Sequence, residues 1–100
     1  MRLLTTKRFE KDLKRALKRG KDLDKLWKIF ELLLDYKPLE ERHRTHPLSG
    51  NYAKVWECYI EPDWLLIWNQ EDDQLVLSRT GTHSDLILTY TFFTKKNVNN

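Results

Sequence analysis

Four side chains in this sequence could together move protons and hold a phosphate, and all lie near turns. Arg79 and His83 flank the turn Thr80-Gly81-Thr82, Asp63 follows Pro62, and His46 sits on the polar stretch ahead of the strands. Arginine is a permanent planar cation suited to phosphate, and histidine titrates near neutrality. Cleavage of RNA by its own 2′-hydroxyl needs a base for that hydroxyl, an acid for the departing 5′-oxygen and a cation for the charged phosphorane. His46, Asp63, His83 and Arg79 would supply all three without a metal. The plainer alternative is a surface arginine, a turn histidine and an aspartate in its common turn role.

The elements that must position these groups can be read from periodicity. From Tyr52 the apolar period is two. Val55 to Ile60 reads as a strand, Glu61-Pro62-Asp63 as a turn, Trp64 to Trp68 as a central strand buried on both faces, and Gln74 to Thr80 as a third strand. Short turns make these an antiparallel meander. Antiparallel neighbours place the start of one strand beside the end of the next, so Asp63 should share a sheet edge with Arg79 and His83. Gly81 between two threonines predicts a positive φ or a close backbone approach. Leu86 to Phe93 is apolar and β-prone, and reads as a further strand or an unpaired tail. Residues 95–100 read as disordered.

Ahead of the meander the period is helical. Residues 7–20 carry one narrow stripe of Phe9, Leu13, Ala16 and Leu17, with Lys7, Arg8, Lys11, Lys14, Arg15, Lys18 and Arg19 on the other side and Gly20 as the stop. A second helix starts at Asp22 or Asp24 and runs to about Tyr36, burying a broad arc that includes Trp27 and Phe30. Leu32 falls off that arc. Met1 to Thr5 could be a first strand, with Thr5 or Thr6 capping the first helix. The fold expected is α+β, with two antiparallel N-terminal helices packed on a small, mainly antiparallel sheet.

Composition narrows the function classes. Residues 1–50 carry fourteen Lys/Arg against eight Asp/Glu, net +6, and residues 51–100 carry four against seven, net −3. A basic half on one small domain suggests an anionic partner such as RNA, or simply a solvated helical face. Cys58 is the only cysteine, so no internal disulfide can form. No apolar run approaches a membrane span and the N-terminus has no signal-peptide core, so a cytoplasmic protein with no membrane partner is expected. His43 and His46 are three apart, but no third ligand lies nearby and no metal site is expected. No cofactor is implied.

His46-Pro47-Leu48-Ser49-Gly50, then Glu61-Pro62-Asp63-Trp64 followed by Leu65-Leu66-Ile67, then Arg79-Thr80-Gly81-Thr82-His83, resemble in order and spacing the YafQ branch of the RelE-type toxins of bacterial toxin–antitoxin pairs. The resemblance implies a single toxin domain over residues 1–88 with a microbial-RNase-like fold, leaving 89–100 as an extension of unknown role. It further implies a ribosome-dependent mRNA endonuclease that enters the A site, and a cognate antitoxin as partner. By position, His46, Asp63 and His83 match the family's acid–base residues and Arg79 its phosphate-contacting arginine. His83 would be the acid, with Asp63 and His46 on the base side. The basic first helix, through Lys11, Lys14, Arg15 and Lys18, would grip ribosomal RNA. Two positions depart: Tyr59 stands where the family has a histidine, and Ile87 where it has a phenylalanine. Tyr59 could still hydrogen-bond a phosphate, but a phenol of pKa about 10 is a poor base at neutral pH. The alternatives are a non-catalytic RNA- or ribosome-binding module, and an attenuated toxin acting mainly in a repressor complex with its antitoxin.

Overall fold

The computed structural model describes residues 1–48 and 54–98, with 91–98 as backbone. Ser49, Gly50 and the start of the meander at Tyr52 lie outside the described residues, as do Asn99 and Asn100. Strands β1 (Arg2–Thr5), β2 (His46–Pro47), β3 (Val55–Glu61), β4 (Trp64–Glu71) and β5 (Gln74–Gly81) form one sheet in the order β1-β5-β4-β3-β2. Only β1 runs parallel to its neighbour, Leu3 opposite Leu75; the other pairs are antiparallel. Helices α1 (Lys7–Lys18) and α2 (Leu23–Leu34) precede the meander, and α3 (His83–Val98) follows it.

Local chemistry sets the helix ends. The Thr6 hydroxyl accepts from the Phe9 amide at 3.0 Å, and the Asp22 carboxylate accepts from the Asp24 amide at 3.0 Å. Both are N-caps that satisfy donors the helix leaves open. Past α1, Lys21 N donates to Ala16 O and Gly20 N to Leu17 O, with Gly20 at φ 78°. This paired C-terminal closure suits a residue without a Cβ. The chain then folds back, and the Phe9 ring near the start of α1 meets Phe30 near the end of α2, centroids 6.2 Å apart. The two helices are therefore antiparallel neighbours.

The apolar run of β4 divides by parity. Trp64, Leu66 and Trp68 join Phe9, Ala16, Leu26, Ile29, Phe30, Leu33, Cys58, Ile60, Leu75 and Leu77 in the core under α1 and α2. Leu65 and Ile67 face the other way and pack with Val55 and Leu86. Burial on both faces accounts for an uninterrupted apolar strand. Each large side chain wholly inside contributes about 1.5–3 kcal/mol. Burial also pushes the Cys58 thiol up to about 12, so it stays protonated. Leu17 and Trp27, expected inside, are exposed: the inner stripe of α2 is Leu26, Ile29, Phe30 and Leu33, and Trp27 stands on its shoulder with its edge against Phe30 at 5.2 Å.

The segment after His83 is a helix, neither the strand nor the loose tail that its β-prone composition suggested, and the helix carries residues 95–98 with it. Its start is a reciprocal cap. Asp85 N donates to the Thr82 hydroxyl at 3.1 Å, and Thr82 N donates to the Asp85 carboxylate at 2.9 Å. This capping geometry outweighs residue preferences, which are weak priors. α3 therefore covers the second face of the sheet. Among the described residues no helix is long and apolar enough to cross a membrane.

Gly81 makes this cap possible. Its φ is 158°, and a Cβ there would lie 2.8 Å from Asp85 Oδ2 and 2.9 Å from Asp85 Cβ. Gly81→Ala must displace the capping carboxylate. It should lower stability by about 1–3 kcal/mol, measured by urea unfolding, with the helical circular dichroism falling in step.

Candidate active site

Sheet register brings the first pair of functional side chains together. His46 on β2 lies opposite Glu57 on β3, Glu57 opposite Ile67 on β4, and Ile67 opposite Arg79 on β5. The four form one cross-strand row on the face that α3 covers. At about 4.8 Å per strand, the two ends of the row are roughly 14 Å apart.

At one end, His46 Nε2 lies 3.0 Å from Glu57 Oε1, and the ring's Nδ1 meets the Arg44 carbonyl. A carbonyl can only accept, so Nδ1 carries a hydrogen. The Nε2–Oε1 contact then holds one proton between ring and carboxylate. Glu57 is buried, and its other oxygen, Oε2, has no hydrogen-bond partner among the described residues. The buried Tyr90 hydroxyl faces this carboxylate without closing a hydrogen bond of ordinary geometry. Burial first, then the polar interaction with the Glu57 carboxylate and its charge, raises the phenol's pKa well above its ordinary value. The sequence reading missed Glu57. The signal was a lone carboxylate at an inward-alternating position of a strand, where charges are rarely buried unpaired.

The second pair lies at the neighbouring edge. His83 opens α3 and Asp63 sits in the β3–β4 turn. Asp63 Oδ1 accepts from the His83 backbone amide at 3.0 Å and from its Nδ1 at 2.7 Å. These bonds, the backbone one foremost, hold the Asp63 carboxyl below its ordinary value. Because the carboxylate takes the Nδ1 hydrogen, Nε2 of a neutral His83 is the bare nitrogen, available to outside groups. Tyr59 stands between the pairs, its ring centroid 6.5 Å from His46 and 5.7 Å from His83.

The expected shared edge is therefore present for Asp63 and His83, but Arg79 is elsewhere. The β4–β5 register shifts by one residue, since Trp68 pairs with Leu77 while Ile67 pairs with Arg79. This bulge at Ser78 turns Arg79 away from the face of Leu75 and Leu77. Its guanidinium meets the Asp12 carboxylate at 2.7 and 3.2 Å and the Thr89 hydroxyl at 3.0 Å. The arginine is 11 % exposed and Asp12 5 %. Asp12, also missed, is the single carboxylate among the inward-facing residues of α1.

Arg15 departs from the expected solvent-facing patch. It pairs with Asp12 at 2.9 Å and approaches Asp85 at 3.7 Å, while Arg19 binds Asp85 at 2.6 Å. Lys11, Lys14 and Lys18 are exposed, but α1 packs on the sheet face opposite the His46–Glu57 pair. Among the described residues no group of three or more His, Cys, Asp or Glu could hold an ion. His43 is buried, its Nδ1 2.6 Å from the Tyr59 carbonyl.

Residues 1–88 match the family described as bacterial toxin of type II toxin–antitoxin system, YafQ. The chain belongs to this family. It is 40% identical over 79 residues to the mRNA interferase toxin YafQ of Escherichia coli K12, covering 78% of this chain and 86% of that protein. It superposes on YafQ in the crystal structure of the E. coli DinJ–YafQ toxin–antitoxin complex with a TM-score of 0.78 at 38% identity, covering 84% of this chain and 93% of that one. A copper-bound L66S mutant toxin from Helicobacter pylori gives a TM-score of 0.81 at 35% identity, over 86% of this chain and 98% of that one. The α+β architecture is thus that of YafQ, and residues 89–98 of α3 lie beyond the family match.

Asp12→Ala would leave the Arg79 guanidinium buried without its carboxylate. A loss of about 3–5 kcal/mol is expected, read by urea unfolding, with the double variant Asp12→Ala/Arg79→Met recovering much of it.

Proposed function

We propose that this endoribonuclease cuts messages in the ribosomal A site as they are translated, by acid–base catalysis in which the 2′-hydroxyl attacks the adjacent phosphorus. The observation that carries the reading is two histidine–carboxylate pairs facing one another across Tyr59. Glu57, held at Oε1 by His46, takes the 2′-hydroxyl proton on its other oxygen, Oε2, as the oxygen–phosphorus bond forms. His83, as imidazolium steadied by Asp63, gives its Nε2 proton to the departing 5′-oxygen. The products are a 2′,3′-cyclic phosphate and a free 5′-hydroxyl. Asp63 then works through His83, on the acid side.

Tyr59 stands where the phosphate must pass and offers its hydroxyl as a donor. Arg79, at the far end of the row, is the candidate to hold a phosphate flanking the cut bond. Its carboxylate partner Asp12 fixes the guanidinium plane, and Thr89 is the neutral acceptor that a phosphate oxygen would displace. A cognate antitoxin is the expected protein partner, as DinJ is for the E. coli toxin, and the exposed Lys11, Lys14 and Lys18 are the candidates for contact with ribosomal RNA. The site of action is the cytoplasm.

One observation favours a second reading, a toxin of reduced activity working mainly in a repressor complex with its antitoxin. Thr89 and Tyr90, both outside the family match, engage Arg79 and face Glu57, so α3 straddles the row on which substrate would lie.

Two measurements separate these readings. Induced expression of the wild type should arrest growth and cut messages within reading frames, and His83→Ala should lower cleavage by about 10²–10⁴-fold while ribosome binding persists. Arrest without cleavage, surviving His83→Ala, would sink the endonuclease and favour the binding module. A chain ending at Leu88 should cleave faster than the full chain if α3 attenuates the site, and at the same rate if it does not.

A further inference from the structure

A groove of about 750 Å³ runs beside the candidate active site, lined by α2, the turn Glu41–His43 and the outer edge of β3. It exists because β2 is only two residues long and pairs with Trp56 and Glu57 alone. β3 beyond Glu57 has no strand outside it among the described residues, and the His43 imidazole takes the Tyr59 carbonyl instead. Ile29, Leu32, Ile60 and Pro62 give the groove apolar lining. Leu32, which the periodicity of α2 left unexplained, is one of these. Tyr59 and His83 also line it, so the groove and the catalytic cluster are continuous.

The charge of the groove is unbalanced. Lys25, Lys28, Arg42 and Arg44 face Glu40 and Glu61. Glu61 is already bound by Lys21 at 3.0 Å and Lys25 at 2.7 Å, and Glu40 by Arg42 at 2.9 Å. Lys28 and Arg44 have no carboxylate partner among the described residues. Arg44 is also held at φ 45°, a conformation uncommon for a residue with a side chain and often found at functional sites.

We infer that this groove binds the nucleotide of single-stranded RNA next to the bond that is cut. The base lies on Ile29, Leu32 and Ile60, and its phosphate is held by Lys28 and Arg44. An apolar floor with two unpaired cations matches a flat base carrying one phosphate, and the volume lies within the range of ligand pockets, roughly 300–1,000 Å³. A strand leaving His83 must run along one of the surfaces joined to it, and this one is positively charged. The groove would then help choose where a message is cut. That consequence rests on the endonuclease reading, whereas the binding itself does not.

The test uses the full chain and a short single-stranded RNA that is 2′-O-methylated throughout, so that it cannot be cleaved. In methyl NMR the Ile29, Leu32 and Ile60 signals should shift saturably. Lys28→Glu and Arg44→Glu, each with unchanged thermal midpoint, should weaken binding roughly tenfold and reduce the salt slope by about one. RNA binding that leaves the groove methyls unmoved, or that both variants retain, overturns the inference. So does a shift produced by purified antitoxin and not by RNA, which would make the occupant a protein. Leu32→Trp, which fills the floor, should redistribute cut sites on translated messages. An unchanged distribution with active enzyme removes the groove's role in choosing the cut site. A wild type that cuts nothing removes the endonuclease reading and leaves the NMR result to judge the binding.

Discussion

The Asp12 carboxylate ties α1, the end of β5 and Arg79 together at one buried point. It accepts hydrogen bonds from Arg79 Nε and Nη2, from Arg15 Nη2 and from the Thr80 backbone amide. The last of these closes β5 where β1 has ended and the sheet edge would otherwise expose an unpaired donor. One buried charge therefore docks α1 against β5, fixes the plane of Arg79 and draws Arg15 inward. A carboxylate in such a place is tolerated because its acceptor capacity is filled by cations and an amide. If one partner is removed, the remaining charge has nowhere to go.

The two sheet faces have separate tasks. Alternation along β4 sends its tryptophans under α1 and α2, and Leu65 and Ile67 toward α3. The first face is the main core, and at its β3 margin Ile29 and Ile60 also line the groove beside α2. The second carries His46, Glu57 and Arg79 in one cross-strand row, with Tyr59 two residues along β3 from Glu57, so polar groups are placed by rigid strands and trimmed by a helix. The Ser78 bulge is what transfers Arg79 from the first face to the second. The same shift places Thr80 in the core, where it accepts from Trp64 Nε1 at 3.0 Å and donates to the Leu65 carbonyl at 2.6 Å.

α3 is the element on which the candidate site depends most. Its first residue holds Asp63, its third anchors Arg19 and caps the helix, and its seventh and eighth reach Arg79 and the neighbourhood of Glu57. The same helix thus completes the His83–Asp63 pair and covers the row beside it. A site assembled this way couples its accessibility to the docking of a short terminal segment.

Much of this was legible in residue order. The two helices with caps narrowed to Thr5 or Thr6 and to Asp22 or Asp24, the stop at Gly20, the meander with a two-sided central strand, and the meeting of Asp63 with His83 all follow from periodicity and turn chemistry, because those signals are local. The cap that starts α3 was legible too, in Thr82 and Asp85, but the β-prone run after it obscured the signal. What the chain could not declare was long-range. A bulge changes parity without changing composition, so Arg79 is aligned with the core leucines in sequence and with Glu57 in space. Asp12 lies 67 residues from the arginine it holds, and no local pattern pairs them. Glu57 joins His46 only through strand register. The sequence by itself determined which chemistry was available and near which turns. Tertiary structure decided which carboxylate serves which base, because the register of strands and the docking of helices bring distant side chains within hydrogen-bond reach.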